Sequence, residues 1–240
     1  MSPNEMRISD SGASRVADEH EIINERLSLP GASVLELGCG KADKTRLVAQ
    51  TAASVLALEV DPVQLKHNKA SDTPDNVRFE YGGAERIPAA DESFDVVMMF
   101  KSLHHVPTEL MDAALSEIRR VLKPGGVAYI SEPVYAGDFN DILRLFHDEK
   151  AVREAAFAAE VKAVSTHTLS LVTQTFFLQP MHFEDFSQFE NQTLKVTHTE
   201  HKLSPALLDA VRTRFSQHMS SDGANFKMPI RVDLFIRNDE

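Results

Sequence analysis

The segment Val34-Leu-Glu-Leu-Gly-Cys-Gly-Lys-Ala-Asp-Lys-Thr-Arg46 passes from an apolar, strand-like run through two glycines into a helix-like run, and its reading decides the fold. Gly38 and Gly40 let the backbone turn sharply and approach a ligand, and the start of the following helix offers free N–H groups. Three kinds of ligand compete for such a turn. A dinucleotide fingerprint, G-x-G-x-x-G, wants a third glycine where this chain has Asp43. A phosphate-cradling loop, G-x-x-x-x-G-K-[ST], fits Gly38 to Thr45 except at the same Asp43. Either phosphate reading sets a carboxylate against anionic oxygens. Glu36, two residues before Gly38 at the end of the strand, suits instead a ligand with cationic groups.

Outward from this turn, short β-rich runs alternate with segments of helical period from Ser33 to Glu132, the pattern of a parallel sheet with crossover helices. The runs are Ser33 to Leu37, Ser54 to Glu59, Val77 to Tyr81, Phe94 to Met99 and Val127 to Ser131. Continuous apolar character, as in the second and fourth, predicts burial on both faces. Thr108 to Leu122 puts Leu110, Met111, Ala114, Leu115, Ile118, Val121 and Leu122 on one helical face, and Lys123-Pro-Gly-Gly126 stops it. After Glu132 the rhythm breaks. Asp138 is placed to cap a helix running to about Glu160, and Thr175 to Glu190 gathers Phe176, Phe177, Phe183, Phe186 and Phe189, which reads as core closure ahead of a substrate lid. A strand near Gln192 to Thr199, a helix from Ser204 to about Met219 and a strictly alternating strand, Ile230 to Arg237, complete the expectation.

The pattern Glu36-x-Gly38-x-Gly40-x-Ala42 resembles motif I of class I S-adenosylmethionine-dependent methyltransferases, and the resemblance continues in order. Glu59 closes the second strand, where an acidic side chain accepts ribose hydroxyls, and Asp61-Pro62 looks like a cap and first turn. Gly82-Gly-Ala-Glu-Arg-Ile-Pro88, Asp91 to Val97, Phe100-Lys-Ser-Leu-His-His-Val106 and Arg120 to Gly126 are similar to the family's later motifs. Together these cover residues 32–132. The resemblance implies an α/β fold: a doubly wound, seven-stranded, mostly parallel sheet of Rossmann-like type, with the last strand antiparallel and a helical insertion after strand five. It implies one methyltransferase domain over residues 1–240, with an N-terminal helical cover (1–31), a cofactor-binding core (32–132), a helical and aromatic substrate side (133–190) and C-terminal strands and helix (191–240). The cofactor is S-adenosyl-L-methionine, leaving S-adenosyl-L-homocysteine as product. Its expected contacts are Glu36, Gly38, Cys39, Gly40, Glu59, Val60, Gly83, Ala84, Glu85, Phe100 and Lys101. The family's usual adenine-binding Asp falls at Gly83, so Glu85 or a backbone carbonyl takes that hydrogen bond. Cys39 reads as a small packing residue in the turn.

Methyl transfer from a sulfonium is an in-line displacement with an activated donor, so the protein mainly supplies alignment and a dry site. The candidate catalytic residues are His105, His104 and Glu132, at the ends of strands four and five. A histidine titrating near neutrality takes a proton from a hydroxyl or protonated nitrogen acceptor, whereas a carbon or thiolate acceptor needs none. The other histidines show no ligand spacing, so no metal is expected. Arg144 and Arg153 fall on the helix expected after strand five, which the resemblance implies borders the acceptor pocket.

Composition narrows the function classes. The formal charge of −11, from 25 Lys and Arg against 36 Asp and Glu, repels polyphosphate backbones, so nucleic acid is an unfavoured partner. The single cysteine excludes an intramolecular disulfide framework and suits a reducing, cytoplasmic setting. The longest run of large apolar residues, Val96 to Phe100, is too short to cross a bilayer, so no membrane partner is expected. The expected acceptor is a small, partly apolar metabolite, and a homodimer stays open. The competing readings are a weakly catalytic regulator that binds S-adenosylmethionine or S-adenosylhomocysteine, a methyltransferase acting on a protein or tRNA, and a nicotinamide-dependent reductase.

Overall fold

The computed structural model describes residues 5–195 and 203–238. The parallel half of the sheet follows the sequence reading closely: β1 (Ser33–Leu37), β2 (Ser54–Glu59), β3 (Val77–Tyr81), β4 (Phe94–Phe100) and β5 (Leu122–Pro133). Helices α1 (Glu19–Arg26), α2 (Asp43–Val48), α3 (Pro62–Ala70) and α4 (Met111–Val121) precede or connect them. Asp61 caps α3, its side chain accepting from Val63 N, with Pro62 in the first turn. The chain then forms α5 (Asp138–Leu143), α6 (Lys150–Ser165), β6 (Ser170–Phe183), α7 (Phe186–Phe189), α8 (Pro205–Ser216), the two-residue β7 (Met219–Ser220) and β8 (Gly223–Ile236).

The strand order is β3-β2-β1-β4-β5-β8-β6, with β7 paired to β8 at the margin. Pairs among β1 to β5 are parallel, and β8 runs antiparallel to both β5 and β6. Parallel strands with helices on both faces must bury both sets of side chains, and β1 does: Val34, Leu35, Glu36 and Leu37 are all buried. Leu35, Leu37, Val97 and Met99 pack with α4 on one face, where Met111, Ala114, Leu115, Ile118 and Val121 are each 1% exposed or less. Each large side chain among these contributes about 1.5–3 kcal/mol by leaving water. Val34, Val96, Met98 and Tyr129 pack with Ile22 and Ile23 of α1 on the other.

Three expectations are corrected. The strand placed at Gln192 to Thr199 is not formed: residues Glu190–Leu194 make a π-helical turn, and 196–199 lie outside the described residues. The seventh long strand is β6, whose Leu171, Thr175, Phe177 and Phe183 are buried among more exposed neighbours. The helix expected from Asp138 to Glu160 is two, because the chain turns between Arg144 and Glu149 and Asp148 Oδ1 accepts Lys150 N–H at 3.0 Å to restart it. The last strand begins at Gly223, well before Ile230. Of the expected aromatic cluster, Phe183 and Phe189 are core, packed with Phe139, Phe215 and Phe226 between α5, β6, α7, α8 and β8 with half-buried Phe186 against them; Phe177 is buried instead in the layer that holds α1, and half-buried Phe176 lies beneath Arg7. Ahead of α1, the backbone of Arg15 and Ala17 hydrogen-bonds to Leu178, so that stretch is extended along β6.

Candidate functional site

The carboxyl ends of β1, β2, β4 and β5 meet at one edge of the sheet, where the strand order reverses between β1 and β4. Gly38 leaves β1 at φ 71°, and a Cβ on it would stand 2.8 Å from Ser102 Cβ, so both conformation and space demand glycine. Gly40 also has positive φ, 50°, and a Cβ there would meet nothing within 4 Å, which leaves open space over the turn for a ligand.

The backbone donors of this turn are already engaged. Gly38 N–H and Cys39 N–H both reach Leu58 O at 3.0 Å. Gly40 N–H donates to Glu59 Oε2 at 2.7 Å, while Glu59 Oε1 accepts from Val60 N and Asp61 N at 2.9 Å each. A phosphate held by this turn would need those same amides. Asn68, invisible to the motif reading because it lies on α3, donates to Gly40 O at 2.7 Å and fixes the turn from behind. Cys39 is buried beside Asn68, and burial raises its thiol far from the reactive range, as a packing role requires.

Glu36 is 3% exposed and lies directly beneath the turn. Burial lifts its carboxyl to about 7, against the Thr45 hydroxyl that donates to Oε2 at 2.5 Å. A buried carboxyl poised near neutrality is ready to be ionised by an incoming cation. Around the rim, Val60 is exposed and Ala84 is buried. The Glu85 carboxylate folds back over Gly83: a Cβ on Gly83 would lie 2.6 Å from Glu85 Oε1. Glu85 thus fills the space that a side chain at position 83 would take. Gly40's open space, the buried Glu36 and the Glu59 carboxylate fit a cationic sulfur nucleoside. Glu59 has about four acceptor positions, of which three are used, so one ribose hydroxyl is accepted directly and a second requires an amide to yield.

Beyond β4 the chain places Lys101 at φ 54°, a left-handed conformation costly for a lysine. Its backbone N–H donates to Ser131 O at 2.7 Å, and its Nζ lies 3.2 Å from Gln179 Oε1 and 3.5 Å from Glu19 Oε2. Lys101 therefore faces α1 and β6. Phe100 is half-buried against Tyr129, ring centroids 5.6 Å apart. Of the histidine pair, His104 is buried and His105 exposed, with their rings 4.1 Å apart.

Both nitrogens of His104 are occupied: Nδ1 bonds Glu132 Oε2, and Nε2 lies 3.6 Å from Glu149 Oε1. Burial disfavours the charged ring, yet the two carboxylates outweigh it and raise His104 to about 9. With no free lone pair His104 is not placed to act as a base, and with Glu132, which also accepts Leu103 N–H at 2.9 Å, it anchors the loop that carries His105. Arg153 is likewise not at a pocket wall. It is buried on Glu149 Oε2 at 2.5 Å and Asn140 Oδ1 at 3.1 Å. Arg144 stays near the surface, paired to Asp141. The residues missed from sequence, Asn68, Glu19 and Glu149, are brought in by tertiary packing, with no local motif to mark them. A depression of about 560 Å³ opens at the opposite edge of the sheet among Ser54, Asn76, Arg78 and Phe94; the strand-end chemistry is elsewhere.

This sheet order, with its single antiparallel long strand and an acid-flanked glycine turn after β1, is the architecture of class I S-adenosylmethionine-dependent methyltransferases. Residues 35–130 match the family model described as "Methyltransferase domain". A Mycolicibacterium smegmatis protein named "Probable S-adenosylmethionine-dependent methyltransferase" is 36% identical over 118 residues, 48% of this chain and 44% of the relative. The 27-O-demethylrifamycin SV methyltransferase of Amycolatopsis mediterranei is 30% identical over 168 residues, 66% of this chain and 58% of the relative. The chain spans about half the length of the curated relatives it matches. Among solved structures, an S-adenosylmethionine-dependent methyltransferase from Methanosarcina mazei superposes with a TM-score of 0.58 at 16% identity, covering 93% of this chain and 100% of the other. No helix among the described residues is long and apolar enough to cross a membrane.

Proposed function

We propose that the protein transfers a methyl group from S-adenosylmethionine to a small, partly apolar metabolite. The observation that carries this reading is the engagement of the glycine turn's amides by Leu58 O and the Glu59 carboxylate, which leaves carboxylates, and not N–H groups, to meet the ligand. Bound there, the cofactor supplies an activated methyl group on sulfur. Glu36 meets its positive charge, Glu59 its ribose, and Glu85 with the Ala84 amide its adenine. Gly38, Gly40, Cys39 and Asn68 shape the floor, while Val60, Phe100 and Lys101 border it. Alignment and exclusion of water are then the main demands on the chain. Exposed His105 is the group able to take a proton from a hydroxyl or amine acceptor, and His104 with Glu132 holds its loop in position. The apolar character of the acceptor rests on the composition of residues 133–190 and agrees with a relative named for a rifamycin substrate.

S-adenosylhomocysteine at about 100 times its dissociation constant is expected to raise unfolding free energy by about 2.7 kcal/mol, with NADH giving no comparable effect. Thermal or denaturant unfolding checks this, and equal stabilisation by NADH would overturn the cofactor assignment.

The Glu85 role has its own check. Glu85→Ala should weaken S-adenosylhomocysteine by about 1–3 kcal/mol, through loss of a charge-assisted hydrogen bond. Adding Gly83→Asp to that variant should restore most of the loss, because the vacated space is where the new carboxylate projects. Titration calorimetry on the single and double variants decides; failure of the rescue removes Glu85 from the adenine site.

A further inference from the structure

The break between α5 and α6 does more than shorten a helix: it carries Glu149 and His147 to the histidine pair after β4. One ligand atom from each of His104, His105 and Glu149 lies within 4.8 Å of the others. His104 Nε2 is 3.6 Å from Glu149 Oε1, and His147 Nε2 is 3.0 Å from the same oxygen. Donors that share an ion at about 2.1 Å stand roughly 3–3.5 Å apart, so two of the three are already near their places. His105 is the exposed member of the three.

The two buried donors are each held by a partner of their own. Glu132 fixes the Nδ1 side of His104, which aims Nε2 at Glu149. Arg153 takes Glu149 Oε2 and is itself held by Asn140 Oδ1, which leaves Oε1 directed at the histidines. A carboxylate behind a ligating imidazole and a hydrogen-bond donor behind a ligating carboxylate are the supports that fix ligand orientation at metal centres.

We propose that His104 Nε2, His105 and Glu149 Oε1 form a site for one divalent transition-metal ion. Two imidazoles and one carboxylate favour zinc, cobalt, nickel or iron over the all-oxygen ions magnesium and calcium. Three protein ligands leave an open position on the exposed flank at His105, suited to water or to an oxygen or nitrogen donor of a small molecule. The ion takes the place of the proton on His104 Nε2, and Arg153 stays on the far oxygen of Glu149. The expectation of a metal-free chain came from histidine spacing along the sequence, and this set joins two elements remote in the chain. The site uses none of the groups at the glycine turn, so it stands independently of the cofactor assignment; it does claim His105, which with an ion bound is a ligand and no longer the proton acceptor for the methyl acceptor.

The test uses the full chain, stripped with chelator and dialysed against zinc, with metal content measured by elemental analysis. The expected result is one zinc per chain, and cobalt in its place should give visible d–d absorption bands. His105→Ala, at an exposed position, should weaken zinc binding by at least about tenfold and abolish the cobalt bands while the unfolding transition without metal is retained. Glu149→Gln should act in the same direction. His182→Ala, at an exposed histidine bonded to Asn225, should leave one zinc per chain. Retention of no zinc by the wild type, or wild-type affinity in His105→Ala, would overturn the site and leave the cluster as an ion-pair network.

Discussion

Glu59→Ala is expected to lose both cofactor affinity and local order. Its carboxylate accepts three backbone N–H groups, from Gly40, Val60 and Asp61, so alanine removes the partner of each. Val60 is exposed and its amide rehydrates easily, whereas the Gly40 amide sits inside the turn. A fully buried donor left unpaired costs about 1–3 kcal/mol, and the half-buried Gly40 amide should cost toward the lower end of that range. The lost ribose contact adds a similar amount to the binding deficit, roughly fivefold to 150-fold in the dissociation constant for S-adenosylhomocysteine. Glu59→Gln should recover little, since its NH2 group meets N–H donors where the carboxylate met acceptor demand. Denaturant unfolding and titration calorimetry read the two effects separately. Wild-type affinity in Glu59→Ala would remove this residue from the cofactor site.

The first half of the fold was legible because its signals are local. Strand, glycine turn and helix follow one another within Val34 to Arg46, and the apolar stripe of α4 repeats at helical spacing. The second half was less so. The Phe-rich run suggested core but not its secondary structure, and the strand it belongs to, β6, is defined by pairing with β8 from Ser170 to Phe183. A helical pattern on both sides of Phe146 hid the turn that Asp148 enforces. The site divides in the same way. Glu36, Gly38, Gly40 and Glu59 were visible from motif order. By contrast, the occupation of both His104 nitrogens depends on Glu132 and Glu149, from β5 and the start of α6, and no sequence window contains all three. The same tertiary closure reassigned Lys101 to buried Glu19 and Arg153 to Glu149.

Glu36→Gln should move stability and cofactor affinity in opposite directions, and the pH dependence fixes the sign. Folding raises this carboxyl from 4.5 to about 7, chiefly by burial. The folded chain therefore holds the proton more tightly than the unfolded chain. Its contribution to stability is fully present below pH 4.5 and is lost as pH rises to about 7. Glutamine imitates the protonated form at every pH and keeps an oxygen for the Thr45 hydroxyl. The variant should match the wild type in acid, then pull ahead between those limits, reaching a gain of roughly 3 kcal/mol at pH 8. Affinity for the cationic cofactor should run the other way. In the wild type it climbs as Glu36 ionises through about pH 7, while in Glu36→Gln it stays low and flat across the same range. A site built for phosphate would show the reverse, because removing a buried negative charge would help an anion bind. Unfolding curves and calorimetric titrations of both proteins at pH 5 and pH 8 distinguish the two. A variant that is less stable at pH 8, or that binds S-adenosylmethionine more tightly, would remove Glu36 from the role of counter-charge.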